Sequence, residues 1–300
     1  ATMSINLALR GLLRTGNHVI YSGMEHNAVY RPLVAMEEGK VISTTRVKAD
    51  HYGYIEVEQV EKALRPNTAL IVLSHASNVS GSVQPLAEIG ELAWRRKIPL
   101  MVDAAQSAGL LPLDVEAEHI SLLALAGHKA LYGPAGIGAL YVAPNVSLRP
   151  FLLGGTGGQS ELRYQPAEYP AHLEAGSLNT AGIAAWGAAL DFVNGIGVEQ
   201  LYAHGMQLTE RLIAGIGKDK RYALHLPSDP RPRVPLLSLS VRNTEATLVA
   251  AALDEVGICV RAGYHCAPLA HRALGSYDNG SVRFSPGWFN SEADIDAAIK

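Results

Sequence analysis

The chain has 300 residues, with 25 Lys+Arg against 28 Asp+Glu for a net charge of −3, and is 48% hydrophobic, 18% charged and 6% aromatic. This length exceeds a mini-domain and suits one large domain with a smaller one. The dispersed, mildly acidic balance offers no basic stripe for a phosphate backbone and no Lys/Arg run for an anionic membrane, so neither nucleic acid nor a membrane is an expected partner. Two cysteines, Cys259 and Cys266, cannot build a disulfide framework, and no charged n-region followed by an apolar h-region opens the chain. The longest apolar stretch, Ala181 to Val193, is cut by glycines and Asp191 and falls short of the roughly 18 to 20 residues that span a bilayer. A reducing, cytoplasmic setting is the expectation. The chain starts at Ala1 inside an amphipathic pattern (Ile5, Leu7, Ala8, Leu12, Leu13) and stops at Lys300 in mid-pattern, which reads as an N-terminally truncated fragment.

In chain order, short apolar runs alternate with helix-period stretches. His18 to Tyr21 and Ala69 to Leu73 read as strands, Gln84 to Lys97 as a helix with Pro85 in its first turn, and Pro99 to Val102 and Leu122 to Leu125 as further strands. That alternation predicts an α/β domain built on a mostly parallel sheet. Ile137 to Val142, behind the turn Gly133-Pro134-Ala135-Gly136, reads as a hairpin return, so the sheet is expected to be mixed. Gly154 to Gly158 opens loop chemistry that runs to Thr180, followed by helices from Ala181 to about Val193 and from Val198 to about Gly215. A Pro-rich span, Pro227 to Pro235, precedes a strand at Leu236 to Val241 and a helix at Glu245 to Val256. Residues 1–194 are expected to form the large domain and 195–300 a smaller α+β domain, with the boundary near Gly195. Gly133, Gly136 and Gly138 precede a strand, so they are not a dinucleotide fingerprint, which follows a strand and opens a helix.

Open α/β sheets gather ligands at the carboxyl ends of their strands. There the sequence is polar in every case: Met24-Glu25-His26-Asn27, Ser74-His75-Ala76-Ser77-Asn78, Asp103-Ala104-Ala105-Gln106 and Ala126-Gly127-His128-Lys129. One sheet edge would thus carry an imidazole, an amide, a carboxylate and a lysine. Pyridoxal phosphate suits this set, since it needs an amine to hold its aldehyde as a Schiff base, an acid for its pyridine nitrogen, and polar groups for its oxygens. Taken singly, Asp103 reads as a cap, Lys129 as a solvated lysine and His26 as a hydrogen-bonded histidine. Their joint occurrence at successive strand ends favours the cofactor.

With Tyr132-Gly133-Pro134 behind Lys129, and with Arg261-Ala262-Gly263-Tyr264-His265-Cys266-Ala267 further on, these segments resemble the class V aminotransferase group of fold-type I pyridoxal-phosphate enzymes. Within it they are similar to the cysteine desulfurases that carry an R-x-G-x-H-C-A segment. The resemblance runs from Ala1 to Lys300 and implies a large domain with a mixed sheet and a small C-terminal domain bearing the nucleophile loop. It implies that Lys129 holds the cofactor, Asp103 pairs with the pyridine nitrogen, and His26 stacks on the ring and moves protons. Asn78 and Gln106 would hydrogen-bond the ring oxygen or nearby groups. Thr2, His128 and, from the other subunit of a homodimer, Ser177 would hold the phosphate. Arg283, with Arg261 nearby, would bind the substrate, Arg283 clamping its carboxylate as a bidentate guanidinium does well. Cys266 would be the nucleophile that takes sulfur from L-cysteine, leaving alanine and a persulfide for an acceptor protein in sulfur metabolism such as iron–sulfur cluster assembly.

Arg261 and His265 are expected to favour the Cys266 thiolate, while Cys259, inside Ile258 to Val260, is expected to be a buried hydrophobe. Trp288 and Phe289 are expected in the core. A zinc set of Cys259, Cys266, His265 and His271 matches no common spacing, and no metal is expected. Ala126 stands where related enzymes often place Ser or Thr, a lost hydroxyl contact worth about 0.5 to 1.5 kcal/mol. Rival readings are a selenocysteine lyase or another enzyme of the same fold, and a non-catalytic sulfur-relay scaffold.

Overall fold

The computed structural model describes residues 1–227 and 230–300, so residues 228 and 229 of the Pro-rich span lie outside the described residues. In chain order the elements are α1 (Thr2–Leu12), β1 (Asn17–Ser22), α2 (Asn27–Glu38), β2 (Ile42–Val47), α3 (Val57–Lys62), β3 (Thr68–Ser74), α4 (Leu86–Arg96), β4 (Leu100–Asp103), β5 (Leu122–Ala126) and β6 (Gly138–Val142). They continue with α5 (Thr180–Ile196), α6 (Val198–Ile216), β7 (Tyr222–His225), β8 (Leu237–Val241), α7 (Ala246–Glu255), β9 (Arg261–Gly263), α8 (Pro268–Ala273), β10 (Ser281–Phe284) and α9 (Glu292–Ile299). The first six strands form one sheet in the order β2-β1-β3-β4-β5-β6; the last four form a second, β7-β8-β10-β9.

The first sheet is parallel except for β6, which returns antiparallel to β5 with Ala126 opposite Gly138. It is the mixed sheet read from the turn at Gly133. Its central strands are apolar on both faces because helices cover both. Side chains alternate across a strand, so Val19 and Tyr21 of β1, Leu70 and Val72 of β3 and Met101 of β4 share one core with Ile5 and Leu9 of α1 and Val29 and Leu33 of α2. Their neighbours Ile20, Ile71, Leu73, Leu100 and Val102 pack on the other face against Leu86, Ile89 and Leu92 of α4. Each such burial stabilises the fold by about 1.5 to 3 kcal/mol. A one-residue slip would exchange the two cores, so the register that sets the strand ends is fixed by packing.

The second sheet carries its own core: Leu208, Leu212 and Ile216 of α6 against Leu237, Leu239, Val282 and Ile295. The boundary read near Gly195 falls in the last turn of α5, and the chain turns at Gly197 with φ +93°. Among the described residues no single helix is long and apolar enough to cross a membrane.

Two expectations fail. Cys259 is exposed, not buried, because it precedes the short strand β9, whose pairing begins only at Arg261. Phe289 is 76% exposed and stacks on Phe192 at 5.7 Å, its aromatic character satisfied on the surface; Trp288 is half-buried beside His204.

Candidate active site

The carboxyl ends of β1, β3, β4 and β5 open on a cavity of about 260 Å³ whose wall includes Thr2, His26, Asn78, Asp103, Gln106, His128, Lys129, Arg261, Cys266 and Arg283. Ten of the eleven site residues expected from sequence therefore converge. The other, Ser177, is exposed on the segment before α5 and takes no part in this wall. A wider groove of about 900 Å³, lined by Trp94, His119 and Tyr141, lies at the amino ends of β4 and β5 and holds none of these residues.

Lys129 sits in the turn after β5 and donates to Gln106 Oε1 at 3.3 Å. Burial pushes its pKa below the ordinary lysine value; Asp103 opposes that shift, while Arg283 and Arg261 add to it. A lowered pKa raises the fraction of neutral, nucleophilic amine. The turn is compact: Gly133 N–H donates to the Gly127 carbonyl at 2.7 Å, and a methyl at Gly133 would lie 2.5 Å from Trp186 Cδ1 of α5.

Asp103 ends β4, and its Oδ1 accepts from Ala105 N–H at 3.0 Å, which orients the carboxylate and leaves its other oxygen for a partner in the cavity. His26 is the N-cap of α2, with Nδ1 accepting from Ala28 N–H at 3.0 Å. Burial pushes its pKa down, against the pull of Asp103. The neutral imidazole thus carries its proton on Nε2.

The small sheet supplies the opposite wall. Arg283 of β10 donates from Nη1 to the Asn78 carbonyl at 2.9 Å, while its buried Nε has no partner among the described residues. Arg261 of β9 reaches Cys266 Sγ at 4.0 Å. His265 and Cys266 both adopt left-handed backbone, with φ +49° and +57°, a conformation that costs non-glycine residues on the order of 1 to 3 kcal/mol. Three bonds hold it: Asn78 Nδ2 to the His265 carbonyl at 2.6 Å, Asn27 N–H to the Cys266 carbonyl at 2.7 Å, and Ala267 N–H to the Tyr264 carbonyl at 2.8 Å.

His265 departs from expectation. Its Nε2 pairs with Ser281 Oγ at 2.9 Å, and burial pushes its pKa down to about 3. It is neutral at ordinary pH and supplies no cation to Cys266; the guanidinium of Arg261, at 4.0 Å, and the charges of Arg283 and Lys129 act on the thiol instead. Among the described residues no group of three His, Cys, Asp or Glu side chains is placed to hold a metal ion, so Cys259, Cys266, His265 and His271 do not converge.

Sequence reasoning passed over Asn27, which pins the nucleophile's carbonyl, and Ser74, Ala76 and Ala105, which line the cavity. Their signal was position: each lies within the polar strand-end segments already singled out. Thr2 is the first residue of α1, so the amino end of that helix, where N–H groups without helical partners favour an anion, lies at the cavity wall. The residues fit pyridoxal phosphate: an amine and an acid in one cavity, small Ala76 and Ala105 leaving room for a flat ring, and an unpaired buried guanidinium nitrogen suited to a carboxylate.

Fold and site together define an α/β enzyme class whose strand-end cavity brings a lysine amine and an aspartate carboxyl group together. The chain belongs to the class-V aminotransferase family, whose model matches residues 1–298. It is 36% identical over 299 residues to the probable cysteine desulfurase of Methanothermobacter thermautotrophicus, covering 97% of this chain and 74% of that protein. It is 36% identical to the cysteine desulfurase IscS of Vibrio cholerae, covering 100% of this chain and 74% of the relative. The apo structure of the cysteine desulfurase from Thermococcus onnurineus NA1 superposes with a TM-score of 0.91 at 28% identity, over 99% of this chain and 75% of that one. The cysteine desulfurase CsdA of Escherichia coli does so with a TM-score of 0.89 at 28% identity, over the same shares. The chain spans about three quarters of the length of these relatives.

Proposed function

We propose that this chain is a pyridoxal-phosphate-dependent cysteine desulfurase that converts L-cysteine to L-alanine and keeps the sulfur as a persulfide on Cys266. The observation that carries the reading is the meeting of Lys129 and Asp103 in one cavity whose far wall holds both Cys266 and Arg283. Pyridoxal phosphate bound there supplies an electron sink for the substrate's Cα.

The protein's own groups do the rest. Lys129 would anchor the cofactor, Asp103 would keep the pyridine nitrogen protonated, and Asn78 and Gln106 would bond the ring oxygen or nearby groups. Thr2, His128 and the first turn of α1 receive the phosphate. The unpaired Nε of Arg283 is suited to the substrate carboxylate, and Arg261 favours the Cys266 thiolate. His26, neutral with a proton on Nε2, would hold and move a proton at that nitrogen beside the bound cofactor. The substrate's C–S bond breaks, its sulfur bonds to Cys266 Sγ, and the carbon skeleton leaves as alanine after protonation, so atoms and electrons balance without an external oxidant.

A homodimer fits the same reading. Most of α5 is exposed although it is rich in Ala and carries Ile183 and Phe192, and Leu178 and Ile183 stand 48% and 50% open to solvent. Burying this face against a second copy would bring Ser177 near a phosphate site across the interface. Residues 1–194 would act as the cofactor domain and 195–300 as the small domain that brings the nucleophile loop. Exposed Cys266 can hand its sulfur to an acceptor protein, and a free thiol suits the reducing cytoplasm.

The test is a visible spectrum of the chain with pyridoxal phosphate, followed by L-cysteine and an alanine assay. A cofactor band that Lys129→Ala abolishes, with alanine formed, supports the reading. A chain that stays colourless and makes no alanine would favour a scaffold.

A further inference from the structure

Glu25 is fully buried, at 0% exposure, and lies behind the cavity, outside its wall. Its Oε1 accepts from Ser22 Oγ at 2.6 Å and from Ser74 N–H at 2.9 Å, and its Oε2 accepts from Ser74 Oγ at 2.7 Å. Ser22 is the last residue of β1 and Ser74 the last of β3. One carboxyl group therefore ties together the ends of two strands that lead straight into the site. On one side the next residue is His26. On the other, Ser74 pairs in register with Asp103, and His75 N–H donates to the Asp103 carbonyl at 3.1 Å.

A buried carboxyl group is costly unless its hydrogen bonds are met. Burial, with a smaller push from Asp103, raises its pKa to about 7 while the two serines pull it back. A small apolar residue would fill this place without that cost if only packing were at stake. The chain past Ser22 is a turn, in which Gly23 N–H still donates to the Val47 carbonyl of β2 at 2.7 Å and Asn27 N–H to the Cys266 carbonyl at 2.7 Å, but neither bond constrains the turn against β3. The Glu25 bonds supply that constraint, and the Nδ1 cap of α2 supplies the ring orientation.

We propose that Glu25 is a positioning residue that acts through His26, stapling the β1 and β3 ends so that the imidazole is registered over the cofactor site opposite Asp103. This rests on the reading of His26 and Asp103 as cofactor-binding groups. Glu25 itself touches neither substrate nor cofactor.

The experiment is a double-mutant cycle on the cofactor-loaded protein, using Glu25→Leu, His26→Ala and the pair, with Glu25→Gln as the conservative variant. Turnover of L-cysteine is read as separate kcat and KM values, and the visible cofactor band is titrated against pH. Glu25→Leu is expected to lower kcat at least tenfold with KM changed less than twofold, and to move the band's pH midpoint. Combined with His26→Ala it is expected to cost no more than His26→Ala alone. Glu25→Gln, which keeps the shape and an acceptor oxygen, is expected to recover kcat to within threefold of the parent. Losses that multiply, a Glu25→Leu protein equal to the parent, or a Glu25→Gln protein as impaired as Glu25→Leu would each overturn the proposal. If leucine at 25 blocks folding, Ser22→Ala removes one of the three bonds and is expected to give a smaller loss, again absent on the His26→Ala background; an additive loss there overturns it. Absence of any cofactor band in the parent would instead defeat the reading of the site.

Discussion

Asn78 Nδ2 donates to the carbonyl oxygen of His265 at 2.6 Å, across 187 residues of sequence. The bond joins the loop after β3 to the residue before the nucleophile, and the Asn78 carbonyl in turn accepts from Arg283. One asparagine thereby fixes the backbone on which the Cys266 thiol sits and the guanidinium of Arg283 in the cavity wall. Asn78→Ala leaves the buried His265 carbonyl unpaired, at a cost of about 1 to 3 kcal/mol. Urea unfolding should show a loss of that size, and single-turnover persulfide formation should slow at least tenfold. A variant as stable and as fast as the parent would remove the tie from the mechanism.

The two cysteines should behave oppositely. Cys266 lines the cavity, whereas Cys259 is exposed away from it. Cys266→Ala should form no persulfide by mass spectrometry and release no sulfide. Cys259→Ala should match the parent in both. Persulfide mapped to residue 259 would refute the assignment.

Acid should destabilise the chain, and the sign follows from its buried histidines. Burial pushes His18, His75 and His271 to about 4 and His265 to about 3, against about 6.5 when unfolded. Below about 6.5 the unfolded chain binds protons that the folded chain refuses. Their contribution is full above 6.5 and is lost as pH falls toward 4. Glu25, raised to about 7, works the other way between about 7 and its unfolded value near 4.3, as does Glu118, which burial also raises, but these two face the four histidines above together with His26 and His225, which burial lowers as well. The unfolding free energy from urea titration should therefore fall from pH 6.5 to pH 4.5, by several kcal/mol in order of magnitude, and the urea midpoint with it. A midpoint constant or rising over that range would contradict the burial of these rings.

The apolar face of α5 predicts association. Ile183→Glu puts a charge on that face at a position half open in the single chain, so the fold should survive while the dimer dissociates. Sedimentation should show the shift to monomer, with weaker cofactor retention as Ser177 of the second copy is lost. A variant that sediments unchanged would place the contact elsewhere.

Much of the site was legible because its residues occupy one kind of place. His26, Asn78, Asp103, Gln106, His128 and Lys129 each follow an apolar run, and a parallel sheet brings such ends to one edge. Cys259 and Phe289 were misread because an apolar residue in an apolar run looks buried whether or not another element covers it. Neither the short β9 nor the partial cover over Phe289 can be read from neighbours in sequence.

His265 marks the division most clearly. Its closeness to Cys266 is a matter of sequence, yet its charge state is a matter of burial, and burial comes from elements far along the chain. Sequence alone determined the alternation of strands and helices, and with it the family's chemistry, because both depend on residue type at short spacings. Tertiary structure alone decided which side chains lost their water: Glu25 sealed behind the strands, His265 neutral beside Ser281, Arg283 with one nitrogen left unpaired. Proton affinity and hydrogen-bond partners are set by desolvation and by contacts between distant segments, which are properties of the folded surface and not of the chain.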